Sequence, residues 1–176
     1  MDEIVKAALR KWPNVPHCFG WLALDARGDW YMRDQRTQDA GPFPQVKGSR
    51  VEHDKLREFI ARNYAADEAG AWFFQNGPQR VYVELEAAPL VWRVRHTGEC
   101  FEVRAHTGTP SGSIQSSWMD QRGRLFLCAE AGFGLVHSLD IAEAAEAVQA
   151  GLWQPQELAF EAMPARFGYV LQPRPR

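Results

Sequence analysis

Glu84 and Glu86 stand two residues apart, on one face of any strand that holds them, and His96, His106 and His137 follow them along the chain. Two carboxylates and three imidazoles are the raw material of general acid–base chemistry. A carboxylate takes that role only if burial or a like charge shifts its proton affinity. Arg80 shares the strand with the glutamates, and Arg93 and Arg95 follow soon after. Cross-strand ion pairing is therefore the plainer expectation for Glu84 and Glu86. Metal donors occur at His17-Cys18, His96-x-x-x-Cys100, His106, Cys128 and His137, but no spacing matches a zinc pattern, and no metal is expected. His17 and Cys18, as neighbours in extended chain, point apart, so adjacency does not make a thiolate–imidazole pair. Ser111, Ser113, Ser116 and Ser117 lack a nucleophile elbow, and the Thr107–Ser113 loop lacks the lysine and spacing of a phosphate loop. No catalytic residue and no cofactor is assigned.

The segment from Trp72 to Tyr82 invites a different chemistry. Its Asn76-Gly77-Pro78 turn presents Gln75, Asn76 and Arg80 between aromatic strands, a set suited to a peptide, a carboxylate or a small polar ligand. His96 and the 106–113 loop are the next candidates. The same residues also make a stable hairpin with nothing bound, and both readings stay open.

Hairpins must position these groups. Asp25-Ala26-Arg27-Gly28 and Asp120-Gln121-Arg122-Gly123 each separate two apolar strands, with a glycine able to take the positive φ of the turn. Strands are predicted at about 19–33 (a hairpin), 71–75, 79–86, 90–95, 100–105, 133–137 and 167–171. Alternation within them leaves one sheet face packed and the other partly wet. Helices are predicted at 2–12, at 50–65 behind a Ser49-x-x-Glu52 capping box, and from an Asp140-x-x-Glu143 box to Ala150. Residues 34–48 read as an irregular loop, 157–162 as ambiguous. The expected fold is α+β, a mostly antiparallel sheet built from hairpins with about three helices on it. Residues 1–171 are expected to form a single domain, with 1–68 and 69–171 as subdomains if it divides, and 172–176 a disordered tail.

The 176 residues carry a formal charge of −2, giving no basic excess for a nucleic-acid backbone. Three widely spaced cysteines suggest free thiols in a reducing compartment. The amino terminus has no apolar signal core, and no run approaches the roughly 20 apolar residues of a membrane span. A cytoplasmic location is expected, with no membrane or nucleic-acid partner.

Three segments carry a resemblance: Gly20-Trp21-Leu22-Ala23-Leu24-Asp25, the run from Trp72 to Val83, and Pro164-Ala165-Arg166-Phe167-Gly168-Tyr169-Val170. They are similar to a family of small uncharacterised bacterial proteins of unknown function. The resemblance implies a bacterial cytoplasmic protein and transfers no activity, cofactor or catalytic residue. The sequence thus reads as a non-catalytic soluble binding or interaction protein, its partner an unknown protein or a small polar ligand. The alternative is a small hydrolase or metal-dependent enzyme using a cluster of Glu84, Glu86, His106 and His137.

Overall fold

A computed structural model describes residues 1–98 and 100–175. The chain divides into two compact units. The first comprises Met1–Asp25, Asp29–Glu86 and Gly168–Arg176; the second comprises Ala26–Gly28 and Ala87–Phe167.

The first unit contains α1 (Glu3–Lys11), β1 (Cys18–Leu24), β2 (Trp30–Met32), α2 (Gln35–Ala40), β3 (Ser49–Arg50), α3 (Asp54–Arg62), β4 (Tyr64–Ala66), β5 (Trp72–Asn76) and β6 (Gln79–Leu85). Its sheet has the order β3-β2-β1-β6-β5-β4, and β1 and β6 run parallel. Leu22, Leu24, Trp30, Ile60, Phe74 and Val83 are buried in its core. The change of unit comes after residue 86 rather than after 68, because β5 and β6 pair back into this sheet.

The second unit contains β7 (Leu90–His96), β8 (Phe101–Ala105), β9 (Ile114–Met119), β10 (Leu125–Ala129), β11 (Gly132–Val136), α4 (Ile141–Gln149), β12 (Gln156–Glu157) and α5 (Met163–Phe167). Its sheet has the order β12-β9-β10-β11-β7-β8, with β7 and β11 parallel. Trp92, Phe126 and Leu127 are fully enclosed, and the Trp92 indole N–H donates to the Leu127 carbonyl at 3.0 Å.

The fold is α+β, with two mixed sheets and five α-helices among the described residues. Several local expectations move. Residues 34–48 contain α2, whose Asp34 side chain accepts from the Thr37 amide at 2.8 Å as an N-cap. The Ser49 capping box does not form: Ser49 and Arg50 pair with β2, the Val51 amide bonds to the Trp30 carbonyl, and α3 starts only at Asp54. Asp140 caps no helix, its carboxylate being held by Arg93. Residues 163–167 are helical and 168–171 form no strand, although the Val170 amide bonds to Gly70 O and Leu171 O accepts from Leu85 N. The tail is tied down as far as Arg174, which reaches Glu84 at 2.8 Å, while Gln172 donates to the Phe43 carbonyl. Arg176 lies outside the described residues.

The two units repeat one strand plan. Reading β2-β1-β6-β5-β4 beside β8-β7-β11-β10-β9 matches order, direction and sequence succession strand for strand. The register agrees as well. Two-residue turns close Asn76↔Gln79 and Ala129↔Gly132, and five-residue loops, 67–71 and 120–124, close Ala66↔Trp72 and Met119↔Leu125. Counting outward makes Asp67 equivalent to Asp120, Ala71 to Arg124, Phe73 to Phe126, and Glu84 to His137. On the neighbouring strands, Arg33 N bonds to Trp21 O where His106 N bonds to Val91 O, so Arg33 corresponds to His106.

Candidate functional site: an aromatic cleft in the first unit

The Asp67 loop is an Asp-anchored turn. The Asp67 carboxylate accepts from the amides of Ala69 at 3.0 Å and Ala71 at 2.9 Å, and the Gly70 amide closes back on the Asp67 carbonyl. Gly70 takes φ 77°, the left-handed conformation that the turn requires. The second carboxylate oxygen accepts the Tyr82 hydroxyl at 3.0 Å. Burial acts to raise the Asp67 pKa, but the Ala71, Tyr82 and Ala69 hydrogen bonds and the nearby Arg80 charge outweigh it. The carboxyl is held below its ordinary range and is ionised at neutral pH.

Around this pair opens a cleft of about 510 Å³ lined by His17, Phe19, Asp67, Ala69, Ala71, Tyr82, Val170 and the 173–175 segment. Its floor is aromatic. Phe19 stacks on Tyr82 with centroids 4.6 Å apart and planes 6° from parallel, and His17 meets Tyr82 edge-on at 5.8 Å. A second, smaller depression of about 360 Å³ shares Asp67 and Ala69 with this cleft and is lined in addition by Ala66, Glu68 and Arg80. The arrangement can accept a flat ring on its floor and a hydrogen-bond donor or cation at Asp67.

The same turn in the second unit is closed. Asp120 accepts from the amides of Arg122 and Arg124, each at 2.9 Å, as Asp67 does from Ala69 and Ala71. Its free oxygen, however, takes the Arg124 Nε at 2.7 Å, and that guanidinium lies 5.4 Å over Phe126 and 4.5 Å over Phe160. Ala71 stands where Arg124 stands; in the first unit the second Asp67 oxygen takes the Tyr82 hydroxyl instead, and Arg80 from β6 lies 4.4 Å over Phe73, the ring matched to Phe126.

The residues expected from sequence are distributed differently. Gln75 is buried and its amide donates to the Gly77 carbonyl at 2.9 Å, so it builds the hairpin turn and is not displayed by it. Asn76 is exposed. Arg80 lies 4.4 Å over the Phe73 ring and borders the Asp67 depression. His96 belongs to the second unit, stacks on Phe101 at 4.3 Å and meets Glu146 at 2.8 Å.

Glu84 and Glu86 lie in the first unit, and His106 and His137 in the second. Glu84 is held by Arg33 at 2.5 Å and Arg174 at 2.8 Å, with Glu84 and Arg33 both 2% exposed. Glu86 pairs with Lys47 at 3.2 Å. The arginines expected as partners are placed elsewhere: Arg80 lies over Phe73, and Arg93 and Arg95 belong to the other sheet. His106 and His137 each accept a backbone amide at Nδ1, from Val91 at 3.2 Å and from Leu139 at 3.0 Å, which leaves the ring proton on Nε2. Among the described residues no group of three His, Cys, Asp or Glu is placed to hold a metal ion, and no helix is long and apolar enough to cross a membrane.

Sequence reasoning did not single out Phe19 or Asp67, and it weighed His17 only as a metal donor or thiolate partner and Tyr82 only as the end of the Trp72–Tyr82 segment. The available signal was Asp67-x-x-Gly70, the same Asp-to-Gly spacing as in the two recognised hairpins but without the arginine.

Fold and cleft together define a two-sheet α+β protein with a ligand-sized depression in its first unit. Residues 1–174 match the family DUF2944, described as "Protein of unknown function (DUF2946)", and the chain belongs to it. Among solved structures the chain is similar to a DUF1285 family protein from Silicibacter pomeroyi DSS-3, with a TM-score of 0.51, 12% identity, and coverage of 83% of this chain and 84% of that one. It also aligns to a DUF1285 family protein from Shewanella baltica OS155 with a TM-score of 0.43, 16% identity, and coverage of 72% and 91%. The first likeness concerns the fold alone. No curated protein matches the chain.

Proposed function

We propose that the protein is a non-catalytic binding protein whose first unit takes a small ligand with a flat ring and a hydrogen-bond-donating or cationic end. The ring lies on the Phe19–Tyr82 pair, and the polar end meets the ionised Asp67. The observation that supports this reading is the exchange at one position of the repeated turn. Arg124 pairs with its own carboxylate and lies over Phe126 and Phe160, whereas Ala71 brings no charge, and Asp67 keeps only the neutral Tyr82 hydroxyl as side-chain partner beside the Phe19–Tyr82 cleft. Nothing in the strand plan requires that difference, since the turn itself is built the same way in both units.

Benzamidine, a flat ring with a cationic donor, and benzoate, the same ring with an anion, are suitable probes. Saturation-transfer NMR on the full chain should show benzamidine contacting the protein and benzoate failing to. Ala71→Arg should abolish the benzamidine signal while leaving the folded spectrum in place. Equal binding of both probes, or benzamidine binding that survives Ala71→Arg, would overturn the reading.

A further inference from the structure

We infer that the second unit carries a separate site for a small phosphate-bearing anion, in the cleft that β7 and β8 form with the Ala26–Gly28 turn. This cleft of about 460 Å³ is lined by Arg27, Arg93, Arg95 and Arg104, with His106, Gly28 and Gly108 at its edge and two carboxylates, Glu102 and Asp140. Four guanidiniums against two carboxylates leave the lining with an excess of positive charge inside a chain whose formal charge is −2.

The strand register makes this excess structurally conspicuous. Arg93 and Arg104 are direct cross-strand partners, and like charges at directly opposed positions work against pairing. The fold relieves part of the conflict by drawing each arginine aside. Asp140 takes Arg93 through Nε at 2.6 Å and Nη2 at 2.9 Å, and Glu102 takes Arg104 through Nε at 2.6 Å. The side chains remain 54% and 50% exposed. Arg95 is exposed and has no carboxylate partner among the described residues. Two half-exposed guanidiniums anchored by carboxylates, beside the exposed Arg95, suit a tetrahedral oxyanion, which their remaining N–H groups can meet.

The corresponding face of the first unit is not available for such use. Lys47 pairs there with Asp25 at 2.9 Å and lies 5.3 Å over Tyr31, and the chain between β2 and β4 builds two helices. Between β8 and β9 the second unit has only residues 106–113, which leave the arginines uncovered. A small ligand is favoured over a nucleic-acid strand because Glu102 and Asp140 flank the arginines and would repel a continuous phosphate backbone.

Titration calorimetry of the full chain with inorganic pyrophosphate at low salt tests the site, with glycerol phosphate distinguishing a monoester from a diphosphate. Saturable binding of either is expected, weakened about tenfold by Arg95→Gln and by Arg104→Gln, and unchanged by Arg10→Gln on α1. No saturable binding by either anion would overturn the proposal. So would binding that ignores the cleft variants or falls equally with Arg10→Gln. A single-stranded RNA oligonucleotide that binds through Arg95 and is not displaced by pyrophosphate would overturn it too. Benzamidine binding in the first unit is independent of all these outcomes.

Discussion

The two sheets share a strand plan and differ in what occupies matched positions. Arg33 and Glu84 make a buried ion pair in the first unit; His106 and His137 hold those positions in the second. Asp120 is paired with Arg124 in one unit, whereas the matched position in the other is Ala71 and Asp67 bonds to the Tyr82 hydroxyl. The plan of strands and turns therefore fixes where a side chain goes, and the side chain decides whether that place is core, ion pair or open cleft.

The largest effect should come from breaking the first unit's buried pair. Arg33→Met leaves Glu84 with Arg174 alone and should cost about 3–5 kcal/mol. His106→Leu, at the matched position, removes the acceptor for the Val91 amide and should cost about 1–3 kcal/mol. Urea unfolding of the two variants measures the difference, and equal losses would mean that the matched positions are energetically alike.

The paired turns offer a second contrast. A Cβ on Gly70 would overlap the Gly168 backbone, whereas one on Gly123, at φ 73°, meets nothing within 4 Å. Gly123→Ala should cost about 1–2 kcal/mol of backbone strain, and Gly70→Ala clearly more. Thermal unfolding that ranks them the other way would contradict the packing of residues 168–170 on the Asp67 loop.

Acid should act through three aspartates. Burial opposes ionisation of Asp67, Asp120 and Asp140, yet hydrogen bonds hold each carboxyl below its ordinary value of 3.8. A depressed folded value gives stability that is fully present above the unfolded pKa and lost as pH falls through the folded one. Stability should therefore hold down to about pH 4 and decline below it, and Asp120→Asn should flatten that decline. A decline that begins near pH 6 would point to a histidine instead.

The smallest effect belongs to Tyr82→Phe, which removes the bond to Asp67 but keeps the ring stack. It should lower stability by about 0.5–1.5 kcal/mol and leave benzamidine bound. Complete loss of the probe would shift the recognition from the ring to the hydroxyl.

Turn chemistry was the legible part of the sequence, because a hairpin with Asp, Asn and Gly is specified within a few residues. The turns at Asp25, Asn76 and Asp120 were all read correctly as hairpins. Their resemblance was nevertheless misleading: the Asp25 turn joins the first two strands of its unit, while the Asp120 turn matches the Asp67 turn. The offset between matched residues is 53 at Asp67–Asp120 and 73 at Arg33–His106, so no single shift of the sequence on itself exposes the repeat. The cleft was hidden for a related reason. Phe19 reaches Tyr82 only because β1 runs parallel beside β6, a pairing that no local pattern announces. Ser49 and Asp140 show the converse, since their capping boxes were locally sound and were overridden by a sheet edge and by Arg93.

One feature of the chain path bears on synthesis. The segment from Gly168 returns to the first unit, where Leu171 accepts the Leu85 amide and Arg174 completes the Glu84 pair. During translation Glu84 therefore has Arg33 but not Arg174, and the Leu85 amide waits, until the whole of the second unit has left the ribosome. The unit begun first is the last to be finished.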